Sequence, residues 1–349
     1  MRVSLIGPPQ SGKSTLFAAV AKAAGAHADV SRGDQPHLAV VKVPDERLDW
    51  LARQYEPKKV TPAELEFLDL PGLDLTDEHG RARARMHWPE MRQSDLLAFV
   101  VRGFDGQRVD PAADVTELLG EMLFADLEQV TARIEKLTAA IRKPTAQRDH
   151  QQRELELMGR LAEALEAERP LSQAVTSETE AKLLRSFAFL SLKPALVVLN
   201  VSENALDEAH PAELGGLDCL SLSAKIEAEL AELPPAERAE FLADLHLDAT
   251  ACRLLLGACY RRLELVSFFT VSRNECRAWS AQAGTDALAA AGQVHTDMAR
   301  GFIRAETVAF DDLRDAGDMK VAKAAGKVRL EGKNYLVTDG DVIYFRFNV

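Results

Sequence analysis

Eight consecutive residues near the start of the chain carry the clearest chemistry. Gly7, Pro8, Pro9, Gln10, Ser11, Gly12, Lys13 and Ser14 fill every position of the pattern G-x-x-x-x-G-K-[ST]. The apolar run 3–6 ahead of them predicts a strand, and the run 15–20 behind them opens a helix. In that setting the backbone N–H groups of residues 10–14 converge on a helix N-terminus, which favours a bound phosphate. Gly12 keeps the backbone clear of a side chain. Lys13 is placed to reach β- and γ-phosphates, and the Ser14 hydroxyl to ligate Mg²⁺. Gln10, Ser11, Gly12, Lys13, Ser14 and Thr15 are the expected phosphate-binding set.

Further along, residues 65–69 read as a strand that ends in a carboxylate, Asp69, with Leu70, Pro71 and Gly72 following. A carboxylate there sits beside a phosphate loop and can hold Mg²⁺, usually through water. Asp69 and Gly72 have the D-x-x-G spacing of GTPases, in which the glycine amide senses the γ-phosphate. Another apolar strand, 196–199, leads into Asn200, Val201, Ser202 and Glu203, where GTPases read guanine with N-K-x-D. Here Val201 replaces the lysine and Glu203 the aspartate. Glutamate is one methylene longer, so its carboxylate sits elsewhere and guanine selection weakens. Ser223, Ala224 and Lys225 match the S-A-K loop that closes over a base.

The elements that must hold these groups follow from hydrophobic patterning. Short apolar strands at 3–6, 38–43, 65–68 and 96–101 alternate with helical stretches, which predicts an α/β fold with a largely parallel sheet. From about 115 to 168 the chain is nearly devoid of glycine and aromatics. Leu127, Val130, Ile134, Leu137 and Ile141 are spaced 3, 4, 3, 4, a heptad seam, and Leu155, Met158, Leu161 and Leu165 form a second series beyond Pro144. The expectation is an antiparallel helical hairpin projecting as an arm, its first helix 115–142 extending about 40 Å. Residues 265–349 are strand-rich with turn glycines and read as a separate α+β module. The expected domains are 1–114 with 171–266, the helical insert 115–170, and 267–349.

Composition limits the function classes. The 349 residues are 47% hydrophobic and 28% charged, which excludes disordered and fibrous classes. A formal charge of −12 argues against a chain whose whole surface grips nucleic acid. Residues 267–349 are neutral, so that module is the less repulsive face for an RNA-rich partner. Four cysteines without ligand spacing read as reduced thiols. No apolar run approaches a membrane span, and the expected location is cytoplasmic.

Taken together, the sequence resembles the YchF subfamily of Obg-like P-loop NTPases along essentially its whole length. The resemblance rests on residues 43–49 (VPDERLD), 192–194 (LKP), 200–203 (NVSE), 223–229 (SAKIEAE), 277–279 (RAW), 295–297 (HTD), 301–306 (GFIRAE) and 345–349 (FRFNV). It implies a G domain, a coiled-coil insert and a C-terminal TGS domain, in that order. It also implies binding of ATP as well as or better than GTP, Mg²⁺ as cofactor, Asn200, Val201, Glu203, Ser223, Ala224 and Lys225 at the base, and association with ribosomes. Direct RNA binding through the TGS-like module is a further implication.

Departures from the family concentrate on hydrolysis. Ras-like enzymes carry a water-orienting glutamine after the D-x-x-G glycine; here it is Leu73, which cannot hydrogen-bond. The family is hydrophobic there and is thought to use a histidine from the loop after the 96–101 strand, but 105–111 hold none. His79 is a substitute candidate beside Gly72 and Lys13 in the expected catalytic set, and Arg81, Arg83 and Arg85 either serve the phosphates or form a solvated face. Where the family's switch I threonine should lie, only Ser31 and Asp34 offer oxygens. The expectation is Mg–nucleotide binding with slow or partner-dependent hydrolysis; the alternatives are a non-hydrolysing sensor or scaffold on a ribosome-associated partner and, disfavoured by the base loops, a small-molecule kinase.

Overall fold

The computed structural model describes residues 1–25, 35–104, 109–142, 146–169, 171–244 and 249–348. It divides into two compact units, Met1–Ala39 with Phe67–Cys252, and Val40–Glu66 with Arg253–Val349. Ser31 and Asp34, residues 105–108 of the loop after the 96–101 strand, and Pro144 lie outside the described residues.

Along the chain the first strands are β1 (Arg2–Ile6), β2 (His37–Val43), β3 (Lys59–Thr61), β4 (Ala63–Asp69), β5 (Leu96–Gly103), β6 (Ala195–Val201), β7 (Glu213–Leu214) and β8 (Leu217–Leu222). All but β3 form one sheet in the order β2-β4-β1-β5-β6-β8-β7. β1, β5, β6 and β8 run parallel, and β7 closes the edge antiparallel to β8. β6 is buried along its whole length and β5 along most of it, as unbroken runs of Val, Leu, Ala and Phe require of a sheet covered on both faces. The expected α/β architecture with a mostly parallel sheet is therefore present. Ligands of such sheets bind beyond the carboxyl ends of the strands, where the chemistry-bearing residues follow β1, β4, β6 and β8.

The helices that frame the site are α1 (Lys13–Ala23), α2 (Glu46–Tyr55), α3 (Glu78–Arg85), α4 (Trp88–Gln93), α5 (Pro111–Ala140), α6 (Arg148–Glu166), α7 (Glu178–Leu184) and α8 (Ala224–Glu232). α5 starts four residues ahead of the expected position. Asp110 caps it by accepting the Ala113 N–H at 3.0 Å, and Pro111 fits its first turn because no N–H is needed there. Its 30 residues span about 45 Å. The first half of α5 is not part of an arm: Val115, Leu118, Met122 and Ala125 are buried in the same apolar cluster as Phe99 and Val197 of the sheet. Only its second half pairs with α6, through Val130, Leu137, Leu157, Met158 and Leu161. Leu171, Leu184 and Phe189 close that second cluster. The expected domain edges at 115 and 170 therefore cut through continuous cores.

The second unit is built on a six-stranded sheet. β9 (Leu265–Val271), β10 (Glu275–Gln282), β11 (Phe302–Ala309), β12 (Arg329–Glu331) and β13 (Asp341–Phe347) join β3 in the order β12-β11-β13-β9-β10-β3. Successive residues of a strand face opposite sides, so on β9 Phe268 enters one apolar cluster and Phe269 the other. The first of those clusters comprises Ala287, Ala291 and Phe345; the second holds Leu48 and Leu51 of α2 with Leu313. Segment 40–66, expected in the first domain, thus belongs to the C-terminal unit.

Candidate nucleotide-binding site

The turn from β1 into α1 has the geometry that its residues dictate. Gly12 caps α1 with φ 85°, a left-handed conformation costly for any residue with a Cβ. A Cβ at Gly12 would also lie 2.0 Å from Asn200 Nδ2. Gln10 is likewise left-handed, at φ 61°. Lys13 is buried, and its Nζ donates to Asp69 Oδ1 at 2.8 Å. Both partners are almost fully buried, so the pair is held away from bulk water. Ser11 Oγ is buried with no hydrogen-bond partner among the described residues. Gln10, Ser11, Gly12, Lys13, Ser14 and Thr15 all line one cleft of about 650 Å³ together with Asp69 and Gly72.

The switch-like segment after Asp69 folds tightly against this cleft. The Leu73 N–H donates to the Gly7 carbonyl at 2.9 Å, and a Cβ at Gly72 would lie 2.9 Å from Pro9 Cα. The Leu73 side chain, 1% exposed, is packed into the sheet cluster. His79, proposed from the sequence as a substitute, is exposed on the first turn of α3 and is not among the residues lining the cleft. His87 does line it, from the turn between α3 and α4. Nothing in its spacing marks it in the sequence. Burial pushes its imidazole below the usual range; Glu90 opposes that push and the Lys13 ammonium reinforces it.

The three arginines of α3, undecided from sequence, separate. Arg83 lines the cleft, as does Asp74. The Asp74 carboxyl is held below the usual range, first by the Thr76 hydroxyl, which donates at 2.7 Å, then by the Thr76 N–H, with Arg83 adding a smaller pull. Arg81 and Arg85 turn to α5 instead. Arg81 pairs with Glu117 and Glu121 at 3.2 Å each, and Arg85 with Glu128 at 3.6 Å.

A second cavity of about 350 Å³ adjoins the first, sharing Gly12 and Thr15 with it. Asn200, Val201, Glu203, Ser223, Ala224 and Lys225, the base-reading set, all line it, as do Phe104 and Asn204, which sequence reasoning missed. Asn200 joins the two loops: its Nδ2 donates to the Ser11 carbonyl at 2.9 Å and its Oδ1 accepts the Ala224 N–H at 2.9 Å. Lys225 Nζ donates to Glu203 Oε2 at 2.8 Å, which raises the lysine's pKa. Phe104 supplies an aromatic face of the kind on which a base stacks.

Comparison with known proteins gives the family. The family model MMR_HSR1, described as 50S ribosome-binding GTPase, matches residues 2–136, and YchF-GTPase_C, a protein of unknown function (DUF933), matches 265–348. The ribosome-binding ATPase YchF of Bacillus subtilis (strain 168) is 37% identical over 368 residues, covering 100% of both chains. The chain belongs to the YchF subfamily of Obg-like P-loop NTPases. Obg-like ATPase 1 of Oryza sativa subsp. japonica is 33% identical, covering 100% of this chain and 92% of that protein. The YchF GTPase structure from Schizosaccharomyces pombe superposes with a TM-score of 0.87 at 27% identity, over 99% of this chain and 97% of that one. A GTP binding protein from Pyrococcus horikoshii OT3, TM-score 0.61 at 17% identity, shares the fold. As a member of the YchF subfamily the chain is a P-loop NTPase, with the two cavities at the carboxyl ends of its parallel strands.

Proposed function

We propose that this protein is a Mg²⁺-dependent nucleotide switch that takes ATP in preference to GTP, hydrolyses it slowly or with a partner's help, and acts on the ribosome in the cytoplasm. The observation that carries it is the Asn200 bridge, which ties a complete phosphate cradle to a base cavity. The triphosphate lies against the N–H groups of residues 10–15, where the start of α1 favours an anion. Lys13 turns from Asp69 to the β- and γ-phosphates. Ser14 and Asp69 line the same cleft and are hard oxygen donors, so they suit Mg²⁺, and Asp69 becomes available once Lys13 leaves it. Mg²⁺ when bound neutralises charge building between the β- and γ-phosphates. Arg83 adds a cation to the same cleft.

ATP is favoured because Glu203 is committed to Lys225 and carries one methylene more than the residue that accepts from guanine. Ribosome association rests on the relatives' names and on the neutral stretch 267–349. Slow hydrolysis rests on Leu73, whose burial leaves the usual water-orienting position apolar. The same burial favours the second reading, a sensor that binds nucleotide without turnover.

The test is one titration of the purified protein with labelled ATP and GTP, with and without Mg²⁺, following phosphate release in the same samples. Lys13→Ala should weaken binding of both nucleotides at least about 100-fold, or about 2.7 kcal/mol. Unchanged binding would remove the cradle assignment.

A further inference from the structure

We propose that His87 is the residue that orients the attacking water in this protein. This deepens the nucleotide-site reading and rests on it. The usual position is closed, because Leu73 is packed in the core. His79 is exposed and does not line the cleft. Two histidines do line it, His37 and His87. The His37 ring lies against Phe17 of α1, centroids 6.5 Å apart, on the switch I side. His87 enters from the segment that begins at Gly72, whose amide faces the terminal phosphate in D-x-x-G proteins. It lines the same cleft as Lys13.

Three properties suit it to the task. It is half-buried beside Lys13, Asp69 and Arg83, so a water held there is partly withdrawn from bulk. Its ring makes no hydrogen bond to another described residue, so no such contact holds it away from a water in the cleft it lines. Burial and the Lys13 ammonium favour the neutral ring at pH 7, which offers one acceptor nitrogen to a water. In the step it serves, the water oxygen forms a bond to the terminal phosphorus. The bond from that phosphorus to its bridging oxygen breaks, and the electron pair leaves with the nucleoside diphosphate. The water proton, hydrogen-bonded to the imidazole during attack, ends on the released inorganic phosphate.

Although His87 occupies the N-cap position of α4, its side chain makes no capping bond, so replacing it removes no cap. The experiment is single-turnover hydrolysis of MgATP by excess protein, with ATP affinity measured on the same samples. His87→Ala should slow phosphate release about 100-fold, in the range that a positioned acid–base side chain supplies. ATP affinity should stay within about twofold, because the ring orients water rather than phosphate. His87→Gln, which keeps a hydrogen-bonding amide at nearly the same reach, should recover at least about tenfold of that loss. An unchanged rate in His87→Ala overturns the proposal. So does an equal loss in His37→Ala or His79→Ala, or a wild-type protein that binds MgATP and never releases phosphate. A wild-type protein that binds no nucleotide would instead remove the site reading beneath it.

Discussion

Asp126, fully buried midway along α5, accepts a hydrogen bond from Arg92 of α4 at 2.9 Å. The same carboxylate accepts the Leu190 N–H at 3.0 Å, the Ser191 N–H at 2.8 Å and the Ser191 hydroxyl at 2.7 Å. One buried anion thus ties three things together: the segment that leaves the phosphate cleft, the long helix, and the turn before β6. Arg81–Glu117 and Arg85–Glu128 add exposed pairs to α5, each worth about a few tenths of a kcal/mol, and Arg81 also pairs with the more buried Glu121. Asp126 is therefore the buried link between α4 and α5.

Removing Asp126 takes the carboxylate from the Arg92 guanidinium, which keeps the Ala188 and Ala125 carbonyls, and takes the acceptor from two backbone donors. Asp126→Ala should lower the free energy of unfolding by about 3–5 kcal/mol, the range for breaking one side of a buried pair. Asp126→Asn, which still accepts but lacks charge, should cost less. Urea titration of the three proteins decides it, and a loss under about 1 kcal/mol in the alanine variant would mean that water replaces the carboxylate.

What the sequence discloses and what it hides divide along contact range. The β1–α1 turn is legible because eight contiguous residues fix their own backbone, with Gly12 the residue that tolerates φ 85°. Asp69 and the loops at Asn200 and Ser223 are legible because each ends an apolar strand. Assignment of 40–66 to the C-terminal unit is not, since it depends on Leu48 and Leu51 meeting Phe269, more than two hundred residues away. The heptad seam is legible, and Leu127, Val130, Ile134 and Leu137 pack with α6, but the burial of the first half of α5 on the sheet is not, because the spacing of Val115, Leu118 and Met122 suits a sheet as well as a partner helix. His87 stands out only once α3 has turned back toward Lys13, and the fate of Arg81, Arg83 and Arg85 depends on which way each faces around that short helix.

Gly12 and Asn200 should fail together. Gly12→Ala brings a Cβ to 2.0 Å from Asn200 Nδ2 and holds alanine in a left-handed conformation costing about 1–2 kcal/mol. Asn200 must then move, releasing the Ser11 carbonyl and the Ala224 N–H. Both Gly12→Ala and Asn200→Ala should weaken ATP binding by at least about tenfold, or about 1.4 kcal/mol. The double variant should cost little more than either alone, because the two act on one contact. Additive losses in a four-protein binding cycle would show that Asn200 acts on the nucleotide independently.

Glu227 of α8 gives a pH signature. It is buried, and accepts the Ala251 N–H at 2.7 Å and the Cys252 N–H at 3.2 Å. Burial pushes its carboxyl above the usual range despite those bonds. With the folded pKa above the unfolded one, its stabilising contribution is complete below the unfolded value, about 4.3, and is lost as pH rises through the folded value. The stability advantage of wild type over Glu227→Gln should therefore shrink between pH 4.5 and pH 8, measured by urea unfolding at each pH. A growing advantage would show that the backbone donors hold the anion more strongly than burial opposes it.

Base choice should respond to the length of one side chain. Glu203 is half-exposed at the rim of the second cavity and tied to Lys225, whose Nζ also lies 3.9 Å from Glu229. Glu203→Asp draws the carboxylate back by one methylene and beyond easy reach of Lys225, leaving it free for the two donors that guanine presents. The GTP-to-ATP affinity ratio should rise about tenfold, or about 1.4 kcal/mol. Lys225→Ala, which frees the longer carboxylate without moving it inward, should raise the ratio less. Competition binding of both nucleotides to the three proteins reads this directly. If neither variant shifts the ratio, base discrimination lies in the cavity wall around Phe104 and Val201, and Glu203 serves only to hold Lys225 in place.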